Sequence, residues 1–187
     1  HSKMTYGPMH IRLPEHGVIN LKNTSYRITA KVVVEIGGQG VIACQGGNMA
    51  GWSLYLDEKS RPSFVYNWFG HEFTTLVAEP LPPGEHQICV EYAHDGGFGA
   101  GGELQLTLDG SRMARGRVER TVPVIFSMSG ETFDVGRDTG SPVGKYPQDF
   151  AFTGNIHGVT LERLAEPSEK VKQQERKSAF KAGLSAQ

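Results

Sequence analysis

Two aspartates and one run of rings are the residues in this chain best suited to holding a ligand. Asp134 and Asp138 lie in the glycine-punctuated stretch Phe133-Asp134-Val135-Gly136-Arg137-Asp138-Thr139-Gly140, and Asp95 and Asp149 occupy other loop-like segments. Carboxylate oxygens on loops are the ligands that calcium prefers. The spacing is not that of an EF-hand, and Gly136 and Gly140 suit turns equally well. A calcium site at Asp134 and Asp138 is therefore set against a purely structural turn, which is the expected reading. The second group is Phe64-Val65-Tyr66-Asn67-Trp68-Phe69. A strand would put Phe64, Tyr66 and Trp68 on one face and Val65, Asn67 and Phe69 on the other. Exposed rings stack on sugars, and Asn67, His71 or Arg61 would bond the hydroxyls. This makes Phe64, Tyr66, Trp68 and Asn67 candidate carbohydrate contacts. The expected alternative is that one face fills the core and the other covers a neighbouring domain.

Bond-breaking chemistry finds little support. The seven histidines (His1, His10, His16, His71, His86, His94 and His157) are scattered, and no serine–histidine–acid arrangement follows from their spacing. The strand from Glu72 to Ala78 supplies one carboxylate where a glycosidase needs a pair. Gly97-Phe98-Gly99-Ala100-Gly101-Gly102 has the dinucleotide spacing, but that mechanism needs a helix start next, and a leucine-alternating strand follows. Cys44 and Cys89 are the only cysteines, and neither has a close partner with zinc spacing. Both sit in apolar strand-like surroundings and read as buried free thiols, with a cross-sandwich disulfide as the alternative.

The elements around these residues read as strands. In Arg27 to Ile36 the alternation directs Ile28, Ala30, Val32, Val34 and Ile36 to a core. Trp52, Leu54 and Leu56 alternate likewise, as do Leu104, Leu106 and Leu108, and Asp109-Gly110 is a two-residue hairpin signal before the returning run Met113 to Val118. Phe73 to Ala78 is expected to pair with His86 to Tyr92 across Glu79-Pro80-Leu81-Pro82-Pro83-Gly84. Shorter strands are expected at Val124 to Ser127, Thr132 to Val135 and Asn155 to Leu164. Residues 1–24 read as irregular, 25–165 as a β-sandwich, and 166–187 as a charged tail, helical from Pro167-Ser168 or partly disordered. Ten to thirteen short strands with glycine-rich turns specify an all-β, two-sheet antiparallel sandwich of jelly-roll type.

Composition fits that reading. The 187 residues include 24 glycines and a 38% apolar share, enough for one core. A formal charge of -1 gives no global field for nucleic acid, and no apolar run approaches the roughly 20 residues that span a bilayer. His1-Ser2-Lys3-Met4 lacks the apolar stretch of a signal peptide, as a mature or excised fragment would too, so periplasm, secretion and cytoplasm all stay open.

A series of phrases in fixed order carries a resemblance. It runs through Ile11-Arg12-Leu13-Pro14-Glu15, Gly40-Val41-Ile42-Ala43-Cys44-Gln45-Gly46-Gly47, Gly51-Trp52-Ser53-Leu54-Tyr55-Leu56, Tyr66-Asn67-Trp68-Phe69-Gly70 and Glu79-Pro80-Leu81-Pro82-Pro83-Gly84-Glu85-His86. It continues in Leu108-Asp109-Gly110, Gly116-Arg117-Val118-Glu119-Arg120-Thr121 and Phe133 to Val143. Over residues 11–164 this resembles the C-terminal, non-catalytic domain of bacterial arylsulfatases, and more broadly concanavalin- and laminin-G-like sandwiches. The resemblance implies a parent sulfatase whose catalytic domain carries a formylglycine in a Cys/Ser-x-Pro-x-Arg motif and a calcium ion. Neither cysteine here fits that motif, and in Ser60-Arg61-Pro62-Ser63-Phe64 the final arginine is missing. The chain is thus expected to be non-catalytic, packing on a sulfatase catalytic domain or mediating assembly, homo-oligomeric contacts included. The alternative is a stand-alone, lectin-like carbohydrate-binding module.

Overall fold

The alternating apolar residues close two sheets on one another. The computed structural model describes residues 2–185; His1 and the last two residues of the tail lie outside the described residues. Its strands are β1 (Lys3–Tyr6), β2 (Tyr26–Val34), β3 (Gly40–Gly47), β4 (Ala50–Leu56), β5 (Pro62–Trp68) and β6 (Glu72–Val77). They continue with β7 (Gly84–His94), β8 (Ala100–Leu108), β9 (Ser111–Arg120), β10 (Phe133–Val135) and β11 (Asn155–Arg163), followed by the helix α1 (Glu169–Ser185). One sheet has the order β1-β11-β2-β7-β8-β9 and the other β10-β3-β4-β5-β6, with every pairing antiparallel.

Between them lie Ile28, Ala30, Val32 and Val34 of β2, Ile88 and Val90 of β7, and Leu104, Leu106 and Leu108 of β8. Trp52, Leu54, Leu56, Phe64, Tyr66 and Phe133 meet them from the other sheet. Full burial of each such side chain contributes roughly 1.5–3 kcal/mol, so these few positions drive the closure. The Asp109-Gly110 signal holds: Leu108 pairs with Ser111, and both turn residues have positive φ, 47° and 85°, as the favoured two-residue hairpin requires. The glycine run leads into β8, where a Cβ on Gly102 would stand 2.3 Å from the Ala93 carbonyl and 2.6 Å from the Tyr92 ring. Gly102 thus answers to close packing over Tyr92, and Gly101 to the Val118 and Glu119 carbonyls of β9.

Several sequence expectations are corrected. β6 and β7 do not form a hairpin; they belong to different sheets, and the proline-rich link between them crosses the sandwich. Three prolines in six residues remove the ladder donors that a tight antiparallel return would need. Val124 to Ser127 forms no strand, and Phe126 instead drops its ring into the core while its backbone N–H donates to Glu15. Ile36 lies beyond the end of β2 in a turn and is 91% exposed. The N-terminal segment is not wholly irregular, because Lys3–Tyr6 pairs with Val159–Glu162 and adds an edge strand. The tail is helical from Glu169, and Ser168 accepts from the backbone N–H of Val171 as a cap. Only Val171 of α1 is buried, and no helix among the described residues is long and apolar enough to cross a membrane.

Candidate functional site

β3, β4 and most of β5 are buried on both faces, whereas strict alternation would leave one face wet. The cover is the segment between β10 and β11, here termed the strap. It leaves the sheet at Gly136 and returns at Phe152, whose N–H donates to the Gly136 carbonyl, and Asp138 N–H donates to the Asp149 carbonyl (2.9 Å each). Closed ends on a compact 15-residue excursion are the geometry of an Ω-loop. Val143 and Phe150 press onto Val41, Cys44, Tyr55 and Val65 as a second apolar cluster, with Tyr146 packed against it. Asp149 and Phe150 both hold positive φ, 68° and 34°, a strained re-entry that this packing must maintain.

Under the strap lies a polar cluster. Asp134 on β10 is the cross-strand partner of Cys44 on β3, and Cys44 is the partner of Ser53 on β4, so the three side chains share the outer face. Asp138 reaches the same place from the strap. Cys44, Asp134 and Asp138 are all at most 1% exposed, and each presents a ligand atom within 4.8 Å of the others. Asp134 accepts from Arg12 N (2.6 Å) on one oxygen and from Thr139 N (2.9 Å) and Oγ1 (2.8 Å) on the other. Asp138 Oδ2 accepts from Val143 N (3.1 Å) and Tyr146 Oη (2.6 Å), while Asp138 Oδ1 is buried without a partner. Burial, reinforced by the neighbouring Asp134 carboxylate, pushes Asp138 up to about 6. Burial first, then Asp138 and Asp134, also pushes the Cys44 thiol well up, and its S–H points to the Arg137 carbonyl (3.5 Å).

The structure thus brings the two sequence-predicted aspartates together and separates them from Asp95, which pairs with Arg117 (2.5 Å); Asp149 adjoins Asp138 through the backbone, but its carboxylate faces Arg137 (3.5 Å). Calcium fits this cluster poorly. It asks for six to eight oxygen ligands, and here the cluster has three residues, one of them a thiol. Cys89 lies on β7 in the other sheet, and both cysteines are free thiols.

The aromatic candidates scatter. Phe64 (0% exposed) stacks on Trp52, and Tyr66 (4%) accepts from Val122 N–H (2.9 Å), so both rings are committed to the core. Asn67 is fully buried on the outer face, donating to the carbonyls of Gly47 (3.3 Å), Asn48 (3.1 Å) and Val143 (3.0 Å) and accepting from Gly70 N–H (2.8 Å). It ties the strap to β5 and to the β3–β4 turn and has no group left for a sugar. Trp68 alone reaches the surface, half-buried, with the Arg120 guanidinium 3.7 Å above its ring.

A surface depression of about 320 Å³ opens instead where the strap meets the β4–β5 loop. Tyr55, Tyr146, Pro147 and Phe150 supply its ring surface, and Lys59, Arg61 and Lys145 its cations, with Asp57 and Glu58 alongside. Tyr146 and Phe150 stack with centroids 5.5 Å apart, and Tyr146 Oη turns inward to Asp138. Asp57 bonds Arg61 (2.7 Å) and accepts from the N–H of Lys59 and Arg61, which fixes the loop. Sequence reasoning missed Tyr146, Lys145 and Cys44 because nothing in their spacing says that residues a hundred positions apart share one sheet face.

No protein-family model and no curated protein matches this chain. Solved structures do. The CBM40 of Ruminococcus gnavus IT-sialidase bound to α2,3-sialyllactose is 14% identical, with a TM-score of 0.54 over 80% of this chain and 81% of that one. A leech intramolecular trans-sialidase complexed with 2,7-anhydro-Neu5Ac is 13% identical, with a TM-score of 0.57 over 92% of this chain and 27% of that one. The LG1-3 region of the laminin α2 chain is 15% identical, with a TM-score of 0.53 over 88% of this chain and 32% of that one. At such identities the likeness establishes the fold, a two-sheet sandwich of the jelly-roll, laminin-G-like kind.

Proposed function

We propose that this chain is a carbohydrate-binding, lectin-like module that takes acidic glycans at the depression beside the strap. The observation carrying the reading is the meeting there of ring surface with cations: Tyr146 and Pro147 against Lys59, Arg61 and Lys145. Its volume is at the lower end of small-ligand sites. Aromatic faces suit the C–H face of a sugar, and lysine or arginine makes charge-assisted hydrogen bonds to carboxylate or sulfate. Arg61 is anchored by Asp57, so it is presented with little entropy left to lose. That a sandwich of the same fold was solved with sialyllactose, an acidic glycan, supports the choice of ligand class, although fold alone does not transfer a site. The test is affinity electrophoresis and calorimetry with sialyllactose, a sulfated oligosaccharide and neutral lactose. Retention on an acidic glycan, lost in Lys59→Ala/Lys145→Ala at unchanged melting temperature, is expected. Failure of the wild type to bind any of the three would refute the reading.

A second reading has its own observation. Phe73 and Val77 share the outward side of edge strand β6 and are each 43% exposed, which suits a covered surface. Together with the ordered phrases resembling arylsulfatases, this supports a non-catalytic domain that packs on a sulfatase catalytic domain or on a second copy. Phe73→Ser would then weaken self-association or partner binding while leaving glycan retention intact.

A further inference from the structure

Two carboxylates buried side by side need a counter-charge, and the cluster under the strap supplies none of its own. The nearest basic residue in sequence, Arg137, turns away to Asp149, and among the described residues no salt bridge reaches Asp134 or Asp138. A buried ion left unpaired costs several kcal/mol, so such groups are paired, neutralised or bound to metal. The orphan oxygen, Asp138 Oδ1, marks where the missing charge belongs: its residue is 1% exposed, its other oxygen already accepts two hydrogen bonds, and Cys44 Sγ and an Asp134 oxygen lie within 4.8 Å of the same carboxyl group.

From this we infer that Cys44, Asp134 and Asp138 form a structural site for one divalent cation of the zinc class, which pins the strap to β3 and β10. The donor set decides the metal class. A thiolate beside carboxylates selects zinc-like ions over calcium or magnesium, which take oxygen alone. A tetrahedral ion with a Zn–S bond of ~2.3 Å and Zn–O bonds of ~2.0–2.2 Å holds such ligands about 3.3–3.6 Å apart. The three ligand atoms, within 4.8 Å of one another, therefore close on an ion with a contraction of up to about 1.5 Å. The Arg137 carbonyl, already 3.5 Å from Cys44 Sγ, is placed to complete the shell. Binding releases the thiol proton to solvent and leaves one net negative charge among the three side chains and the ion. The N–H groups of Arg12, Thr139 and Val143 point at that charge.

The competing occupant is a proton on Asp138, and one experiment separates the two. The full chain is unfolded, stripped with chelator and refolded with Zn²⁺, with Co²⁺ or with chelator alone, so that entry to a buried site is not limiting. Expected are one tightly bound metal per chain, a rise in melting temperature with Zn²⁺, and a thiolate-to-cobalt charge-transfer band. Cys44→Ser and Asp138→Asn should each lose both signals, and Cys89→Ser should keep them. A folded wild type with no such band overturns the inference, as does a band that survives Cys44→Ser. A higher melting temperature for Asp138→Asn than for wild type at pH 8, unchanged by metal, would assign the place to the proton.

Discussion

Replacing Asn67 with alanine tests whether the strap is held from inside the sheet or whether this residue faces a ligand. The amide spends its hydrogens on three carbonyls, of which those of Gly47 and Val143 are fully buried, and its oxygen on the N–H of Gly70. Truncation leaves the two buried carbonyls without a donor. At about 1–3 kcal/mol for each orphaned group, with the part-buried Asn48 carbonyl and Gly70 N–H recovered by water, the loss is roughly 2–6 kcal/mol. For a chain of this size each kcal/mol moves the melting temperature by about 2–4 °C, so a fall on the order of 10 °C is expected. Urea unfolding should show a lower midpoint at unchanged slope. Trypsin should cut sooner at Lys145, since Asn67 bonds the strap backbone at Val143. A loss under about 1 kcal/mol with unchanged proteolysis would refute the reasoning. If glycan retention vanished at the same time, the sequence-based assignment of Asn67 as a sugar contact would be restored.

Three further outcomes are expected. Gly102→Ala forces a Cβ against the Ala93 carbonyl and the Tyr92 ring and should cost about 1–3 kcal/mol by chemical denaturation; a neutral result would mean that β7 and β8 part easily. Burial pushes the Glu15 carboxyl upward, but the Lys22 ammonium at 2.5 Å and the N–H groups of Ser127 and Phe126 outweigh it and hold it below its ordinary value. A depressed carboxylate stabilises above its unfolded pKa and loses that contribution as pH falls through the folded one, so the gap between wild type and Glu15→Gln should be wide at neutral pH and close below about pH 4. At His86 burial lowers the pKa, but the bonds to Asp109 (2.7 Å) and the Pro82 carbonyl raise it further. That stability is present in full below about pH 6.5 and is lost as pH rises through the folded value, so Asp109→Asn should cost more in mild acid than in alkali. Equal cost at both would show that the imidazole carries no charge there.

The elements were legible in the sequence because their signals are local. Alternation in Tyr26–Val34 and Ala50–Leu56 fixes which residues face inward, and Asp109-Gly110 fixes a turn, since backbone sterics admit few residues at positive φ. The same punctuation picked out Asp134 and Asp138. It could not show that Cys44 lies opposite Asp134, because strand order in a sandwich depends on contacts ninety residues apart in the chain.

What the tertiary structure alone decided is the fate of the outer face. Periodicity says that Asn67, Ser53 and Tyr55 point away from the core, but not whether water or protein meets them. The strap settles it by burying Asn67 and Ser53 completely. Alternation likewise leaves Phe64 and Tyr66 open to either a core or a sugar, and the second sheet decides it by closing over them. The strap itself has no periodicity to read, since it is held by side chains that reach across from β4, β5 and β10, and such bonds leave no spacing in the sequence.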